Sequence, residues 1–279
     1  MALAAAILCG CLPLRAQATR VPDLGIGKLL VAPRDTRDPA FAESVILLVR
    51  YDRGGTLGLM LNRRTKIPLS QALRDSRGAS GLTDPVYMGG PVDLENVLAL
   101  LRANTMSEGA AHVVGKVYLV STRALLEKSL LEKSQLEKGQ MERTPGKTAP
   151  GQFDGDGLRV YLGYCGWAPG QLENEAGHGL WHVFPGSADV VFDSEPGSLW
   201  SRLVARAEQN IARAQAQARP ALGGGGSPFS RGNVPMVPYI SFSWPTFPLS
   251  DARLDVSQRA RFPFAGAAES VVAAYAGSR

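Results

Sequence analysis

The sequence predicts an α+β protein, and three observations carry that expectation. Short runs rich in β-branched and aliphatic residues recur from Gly27 onward, and most are closed by Gly, Pro or Asp. Short helical segments interrupt them irregularly, which disfavours the regular βαβ alternation of a doubly wound sheet. The chain is 279 residues long and 45% hydrophobic, enough to bury a core in one large domain or two ordinary ones. That composition excludes wholesale disorder. No stretch reaches the ~18 consecutive apolar residues of a spanning helix. Three cysteines cannot build a disulfide framework, and a net charge of +5 is too mild to mark a nucleic-acid footprint.

Taken in order, residues 27–32 read as a short strand stopped by Pro33. Asp38-Pro39 supplies turn chemistry, and Phe41 to Val49 reads as a buried strand. Gly54-Gly55 marks a hairpin into a second strand, Thr56 to Leu61. Pro68 to Leu73 starts a short helix, and Pro85 to Met88 forms a strand ended by Gly89-Gly90-Pro91. Asp93 is placed to cap a helix over Leu94 to Leu101. Val113 to Val120 is a further strand.

The repeat LLEKS-LLEKS-QLEKG-QMERT occupies residues 125–144. A five-residue period advances ~140° per repeat on a helix, so the leucines spiral and form no stripe. The expectation is a low-complexity insertion, 125–150, that forms a solvated helix or a mobile excursion. Its charges pair Lys128 with Glu132 and Lys133 with Glu137, the weaker orientation for i,i+4 support. Leu158 to Tyr164, GLWHVFP (179–185) and Val190 to Phe192 read as strands. Ser198 is placed to cap a helix in which Trp200, Leu203, Val204, Ala207 and Ile211 share a face. Gly223 to Pro228 is a flexible linker, and the aromatic tail beyond it either packs back as edge strands or docks elsewhere.

The N-terminus stands apart from the fold. Residues 2–14 are an apolar stretch of signal-peptide size, followed by the small-x-small pattern Ala16-Gln17-Ala18. Nothing before Leu14 is basic, which fits a true start a few codons further upstream. Cleavage after Ala18 leaves Cys165 as the sole cysteine; a lipoprotein reading instead puts an acyl anchor on Cys11. Either form implies export to the envelope, and a disordered cytoplasmic leader is the alternative.

Several constellations resemble chemistry without completing it. His178 and His182 in HGLWH have zinc-helix spacing, but Gly179 stands where the general-base Glu belongs. On a strand those imidazoles lie ~13 Å apart, too far to share a metal. PGKT at 145–148 lacks the first half of a P-loop, and no Gly-x-Ser-x-Gly elbow occurs. Cys165, flanked by glycines, needs an electropositive neighbour to become reactive; Arg159 or a histidine are the candidates. Arg63-Arg64 with Lys66, and the arginines of 202–219, read as solvated faces before they read as DNA contacts. No cofactor, metal or catalytic residue is therefore assigned.

The blocks RDPAFAESV (37–45), GTLGLMLNR (55–63), PVYMGGPV (85–92), GYCGWAPGQLENE (163–175) and GLWHV with the later VVFD and LW (179–200) occur in this order. Together they resemble the YqgE/AlgH family of bacterial proteins over about residues 25–205. The resemblance implies a compact fold of several coiled, mixed β-sheets with short flanking helices. It also implies the family's label of transcriptional regulator, although no helix-turn-helix pattern is visible. Three features depart from the family: the export signal, the extra segments at 125–150 and after about 206, and Gly166-Trp167-Ala168-Pro169 where members usually continue Gly-Trp-Gly.

The expected division is a leader at 1–18, a domain at 25–206, and a helix end, linker and tail over 207–279. Asn62 is expected to bond local backbone, and the Gly89-Gly90-Pro91 turn to expose N–H groups that cradle an anion. With Trp167, Gln171 and Glu173 they are the candidate lining of one groove for a small ligand or partner peptide. The functional expectation is a non-enzymatic binding or regulatory protein. An enzyme using Cys165, His112 or His178 is the competing class, and a DNA-binding regulator a subclass of the first.

Overall fold

The computed structural model of the chain describes residues 23–139 and 153–218. The 1–18 leader, PGKT, the glycine linker and the C-terminal tail lie outside them. Strand β1 (Lys28–Val31) is followed by β2 (Val45–Asp52) and β3 (Gly55–Met60). Phe41 to Ser44 is a turn rather than the start of β2. The Asp38 carboxylate accepts from Ala40 N, its carbonyl accepts from Phe41 N and Ala42 N, and Glu43 then takes a left-handed φ of 57°. From Val45 to Val49 every side chain is buried: Val45, Leu47 and Val49 on one face, Ile46 and Leu48 largely on the other. A strand packed on both faces shows a continuous apolar run instead of alternation.

Next come β4 (Arg64–Pro68), the turn of helix α1 (Leu69–Ala72) and β5 (Pro85–Met88). The capped helix expected after Asp93 is instead the twelve-residue strand β6 (Val92–Ala103). Asp93 does not cap; it takes φ 48° inside a register shift between Val92 and Val97. The apolar run Val97 to Leu101 is buried on both faces, which removes the alternation that would have marked a strand. The single strand expected over 113–120 is a hairpin of β7 (Ala110–Val114) and β8 (Val117–Val120), turned at Gly115.

Helix α2 (Arg123–Glu137) corrects the reading of 125–137 as solvated. Leu125, Leu126 and Leu130 are buried against the sheet together with Ser129, Lys133 and Ser134. The buried stripe is completed by polar residues, so it does not show in the leucines alone. Lys133 reaches Glu137 at 3.2 Å, as its spacing suggested, and also Asp84 at 3.2 Å; Lys128 reaches Glu132 at 4.0 Å.

The long strand β9 (Phe153–Trp167) is followed by helix α3 (Gln171–Gly177) and β10 (His182–Pro185). Val190 to Phe192 is not a strand: Ser187 accepts from Val190 N and caps the short helix α4 (Ala188–Val191). Helix α5 (Pro196–Ala218) buries Leu199, Leu203, Val204 and Ala207, leaves Trp200 half-buried, and turns Ile211 to solvent. The Trp200 indole donates to Ala32 O at 2.8 Å and ties α5 to the end of β1.

The sheet runs β10-β1-β2-β3-β9-β6-β8-β7, with β5 pairing both β4 and β9. β9 is the hinge of this arrangement: Leu158 to Leu162 pair with β6, while Cys165 to Trp167 pair with β3. All pairings are antiparallel except β5 with β9, so the sheet is mixed and the class is α+β. Helices α1 and α2 cover one face of β6 and β9, α4 and α5 cover the opposite face, and α3 closes an aromatic cluster over β2 and β3.

Candidate functional site

At the C-terminal end of β9 the chain leaves the sheet at Trp167 and turns through Gly170, φ 78°, into α3. Gln171 at the helix start accepts from Ala168 N at 3.0 Å and donates its amide to Glu175 Oε1 at 2.9 Å. The other Glu175 oxygen accepts two indole N–H groups, from Trp167 at 2.9 Å and Trp181 at 2.8 Å. Phe41 packs edge-on to Trp181 at 5.9 Å and tilted to Trp167 at 6.5 Å. Trp167 is 3% exposed, so it supports this corner from within. Glu173, one helical position outside the network, accepts from the Tyr51 hydroxyl at 2.6 Å and faces outward.

The glycine turn lies beneath this corner. Gly89 donates to Leu162 O and accepts from Met60 N, both at 2.8 Å. A Cβ on Gly89 would sit 2.2 Å from Gly163 O, and one on Gly90 would sit 2.2 Å from the carbonyl carbon of Tyr164. These glycines let the β5–β6 connection cross β9 backbone to backbone. The expected anion cradle is therefore corrected: Gly89 and Gly90 are buried, and the Gly89 N–H is already bonded. Asn62 spans a distant loop rather than its own turn, accepting from Val45 N at 2.9 Å and donating to Glu43 O at 2.8 Å.

Cys165 occupies the same crossing, with its side chain fully buried and its thiol donating to Gly89 O at 3.5 Å. Burial pushes the thiol far above its ordinary range, and the charge of Arg63 opposes that only in part. Arg159, offered by the sequence as an activator, instead contacts Asp193 O, Tyr87 and Phe192. The histidines are not brought together. His112 contacts Gly115 O, His178 contacts Asn174 O at the end of α3, and His182 is half-buried in β10. No group of three or more His, Cys, Asp or Glu side chains is arranged to hold a metal among the described residues.

Of the six groove candidates, Trp167, Gln171 and Glu173 meet at the α3 corner, Gly89 and Gly90 underlie it, and Asn62 clamps the loop before β2. The basic residues offered for DNA divide. Arg63 is drawn onto Ala42 O and Arg202 onto Asp193, while Arg64 and Lys66 are exposed on β4. Sequence reasoning missed Glu175, although two signals were present: its i,i+4 spacing from Gln171 and its position between two tryptophans.

The described residues form one mixed, β9-centred α+β sheet with the Cys165 thiol sealed inside it. The chain belongs to the AlgH-like family, whose model matches residues 29–212. It is 32% identical over 195 residues to a UPF0301 protein of Streptomyces avermitilis, covering 67% of this chain and 88% of that one. It is 29% identical over 178 residues to the UPF0301 protein CT0663 of Chlorobaculum tepidum, covering 64% and 84%. The solution structure of AlgH from Pseudomonas aeruginosa is similar at a TM-score of 0.48 and 25% identity, covering 70% of this chain and 95% of that one. Among the described residues, no helix is long and apolar enough to cross a membrane.

Proposed function

We propose that the chain is a non-enzymatic binding or regulatory protein whose contact face is the outer edge of α3. Gln171 and Glu173 stand at that edge, half-buried and within reach of a partner peptide or small ligand. Trp167 supports it from within, Gly89 and Gly90 set the backbone crossing at Cys165, and Asn62 fixes the loop that carries Phe41. The observation that carries the reading is the state of Cys165. It is the one cysteine among the described residues, it is fully buried, and it is held protonated against a backbone carbonyl. Nucleophilic chemistry requires the thiolate. Setting the protein in the envelope rests on the leader at 1–18, and N-terminal sequencing of the mature chain tests that part alone.

Alkylation of the native, full-length protein with iodoacetamide, read by mass spectrometry, tests the central point. Cys165 should react at least about a hundredfold more slowly in the native protein than in urea, because only opened molecules expose it. Native reactivity equal to that of the unfolded chain would return the enzyme reading. The face itself is tested by Glu173→Arg, which leaves the Glu175 network intact: loss of a partner or ligand at an unchanged unfolding midpoint supports it. If only destabilised variants lose binding, the α3 edge is a structural corner.

A further inference from the structure

A second polar centre lies on the α5 side of the sheet, away from the α3 corner. Arg102 in β6 and Arg159 in β9 project from the face that α4 and its following loop cover, and Tyr161 follows Arg159 on that same face of β9. Both guanidinium groups lie against one ring: their central carbons are 5.0 Å and 5.8 Å from the Phe192 centroid, and Arg159 is also 5.0 Å from Tyr87. They hold the 188–193 segment down through main-chain carbonyls, Arg102 on Ala188 O at 2.9 Å and Arg159 on Asp193 O.

Three donors beneath that segment are left over. Arg102 Nε and Arg159 Nη1 are buried with no acceptor, and the Tyr161 hydroxyl, 0% exposed, has Arg159 beside it and no acceptor for its own proton. Buried donors without acceptors are rare and costly in native proteins. The negative charge nearby is shared, since Asp193 faces both Arg202 and Arg159. Asp193 places its carboxylate on Arg202 at 2.7 Å, and Asp189 touches Arg102 only at 3.4 Å with a side chain that is 92% exposed. Two cations, Arg102 with its side chain 28% exposed, and a buried phenol therefore share a site with more donors than acceptors.

We propose that Arg102, Arg159 and Tyr161 form a binding site for a small oxyanion, a phosphate or carboxylate group, reached when the 188–193 turn and Phe192 lift. Arginine suits such a ligand because its planar fork gives charge-assisted bonds to paired oxygens. The cover is short: α4 is four residues long, its Ser187 cap is a long contact of 3.4 Å, and Val191 is its one fully buried residue, which a lift must withdraw from the core. The site is separate from the α3 edge, so its failure would leave the proposed function as it stands.

Full-length protein in chloride buffer is titrated with inorganic phosphate and, separately, with acetate at constant ionic strength. Thermal unfolding and calorimetry provide the readouts. A saturable rise in unfolding midpoint with one or both anions is expected, since a ligand bound only by the folded state stabilises it. Which anion acts identifies the ligand group. Tyr161→Phe, which keeps the ring and folds, should weaken affinity by about five- to tenfold, and Arg159→Gln by at least about tenfold. No saturable response in the wild type overturns the site. So does a response of equal size in both variants, which would mark general salt stabilisation.

Discussion

The molecule holds two polar centres within its core, and they are built on opposite terms. At the α3 corner one carboxylate, Glu175, accepts from Trp167, Trp181 and Gln171, so three donors converge on a group with room for all of them. Beneath the 188–193 segment, two guanidinium groups and a phenol present donors that no acceptor meets. A completed network fixes a fold, because each member is costly to remove. An incomplete one retains unmet hydrogen-bonding capacity, which is what a ligand can use. The contrast separates the conspicuous aromatic motif, which is scaffold, from a less conspicuous pair of arginines.

The strongest way to break the contrast is to remove the acceptor from the completed centre. Glu175→Ala leaves two indole N–H groups and an amide without their partner, and the loss should be about 3 kcal/mol in urea unfolding. A loss below about 1 kcal/mol would mean that water replaces the carboxylate freely. The corner would then be open enough to serve as a groove.

A smaller effect is expected at Lys133, which resembles both centres in part. Its side chain is 6% exposed, and its ammonium is met by Asp84 and Glu137, each of which keeps contact with solvent. Lys133→Ala should cost about 1–2 kcal/mol in the same measurement, less than a fully buried pair because the two carboxylates can rehydrate. An unchanged midpoint would restore the picture of α2 as a solvated excursion.

At the incomplete centre the loss should be far smaller. Tyr161→Phe removes a buried hydroxyl that has Arg159 beside it but no acceptor for its proton, so without added anion it should change stability by less than about 1 kcal/mol. A clear loss would show that the hydroxyl is already satisfied, and the two centres would no longer differ in kind.

How much of this was legible in the sequence follows from the same distinction. β1, β3 and β5 announced themselves as short apolar runs closed by Gly or Pro, and the Gly54-Gly55 hairpin fell where its turn residues stand. β6 did not, because the run Val97 to Leu101 is buried on both faces and carries no period. α2 hid its stripe because Ser129, Lys133 and Ser134 complete it, and an apolar count passes over them. The α3 corner was half legible. Trp167, Gln171 and Glu173 belong to one contiguous block, whereas Trp181 reaches Glu175, and Phe41 the two indoles, from other segments. Arg159 was read only as a candidate activator of Cys165, and Arg102 stood just past the helix expected over Leu94 to Leu101, so nothing in the sequence paired the two.

The smallest expected effect tests the boundary of the completed centre. Glu173 lies two residues from Glu175 but points outward, where it takes the Tyr51 hydroxyl at 2.6 Å. That bond, with burial and the carboxylate's charge acting in the same direction, raises the Tyr51 pKa to about 12 from its ordinary 10. A raised folded-state pKa favours the protonated phenol. Its contribution to stability is therefore complete below about pH 10 and is lost as pH rises through about 12. In alkaline difference spectra of wild type against Tyr51→Phe, the phenolate of Tyr51 should appear with a midpoint near 12. In Glu173→Ala the midpoint should fall back toward 10, the ordinary value. A partner that takes Glu173 would produce the same fall without mutation, since the acceptor would be withdrawn from Tyr51. A Tyr51 that titrates at 10 in the free protein would show that Glu173 is already uncommitted, leaving Glu175 alone to mark where the rigid corner ends.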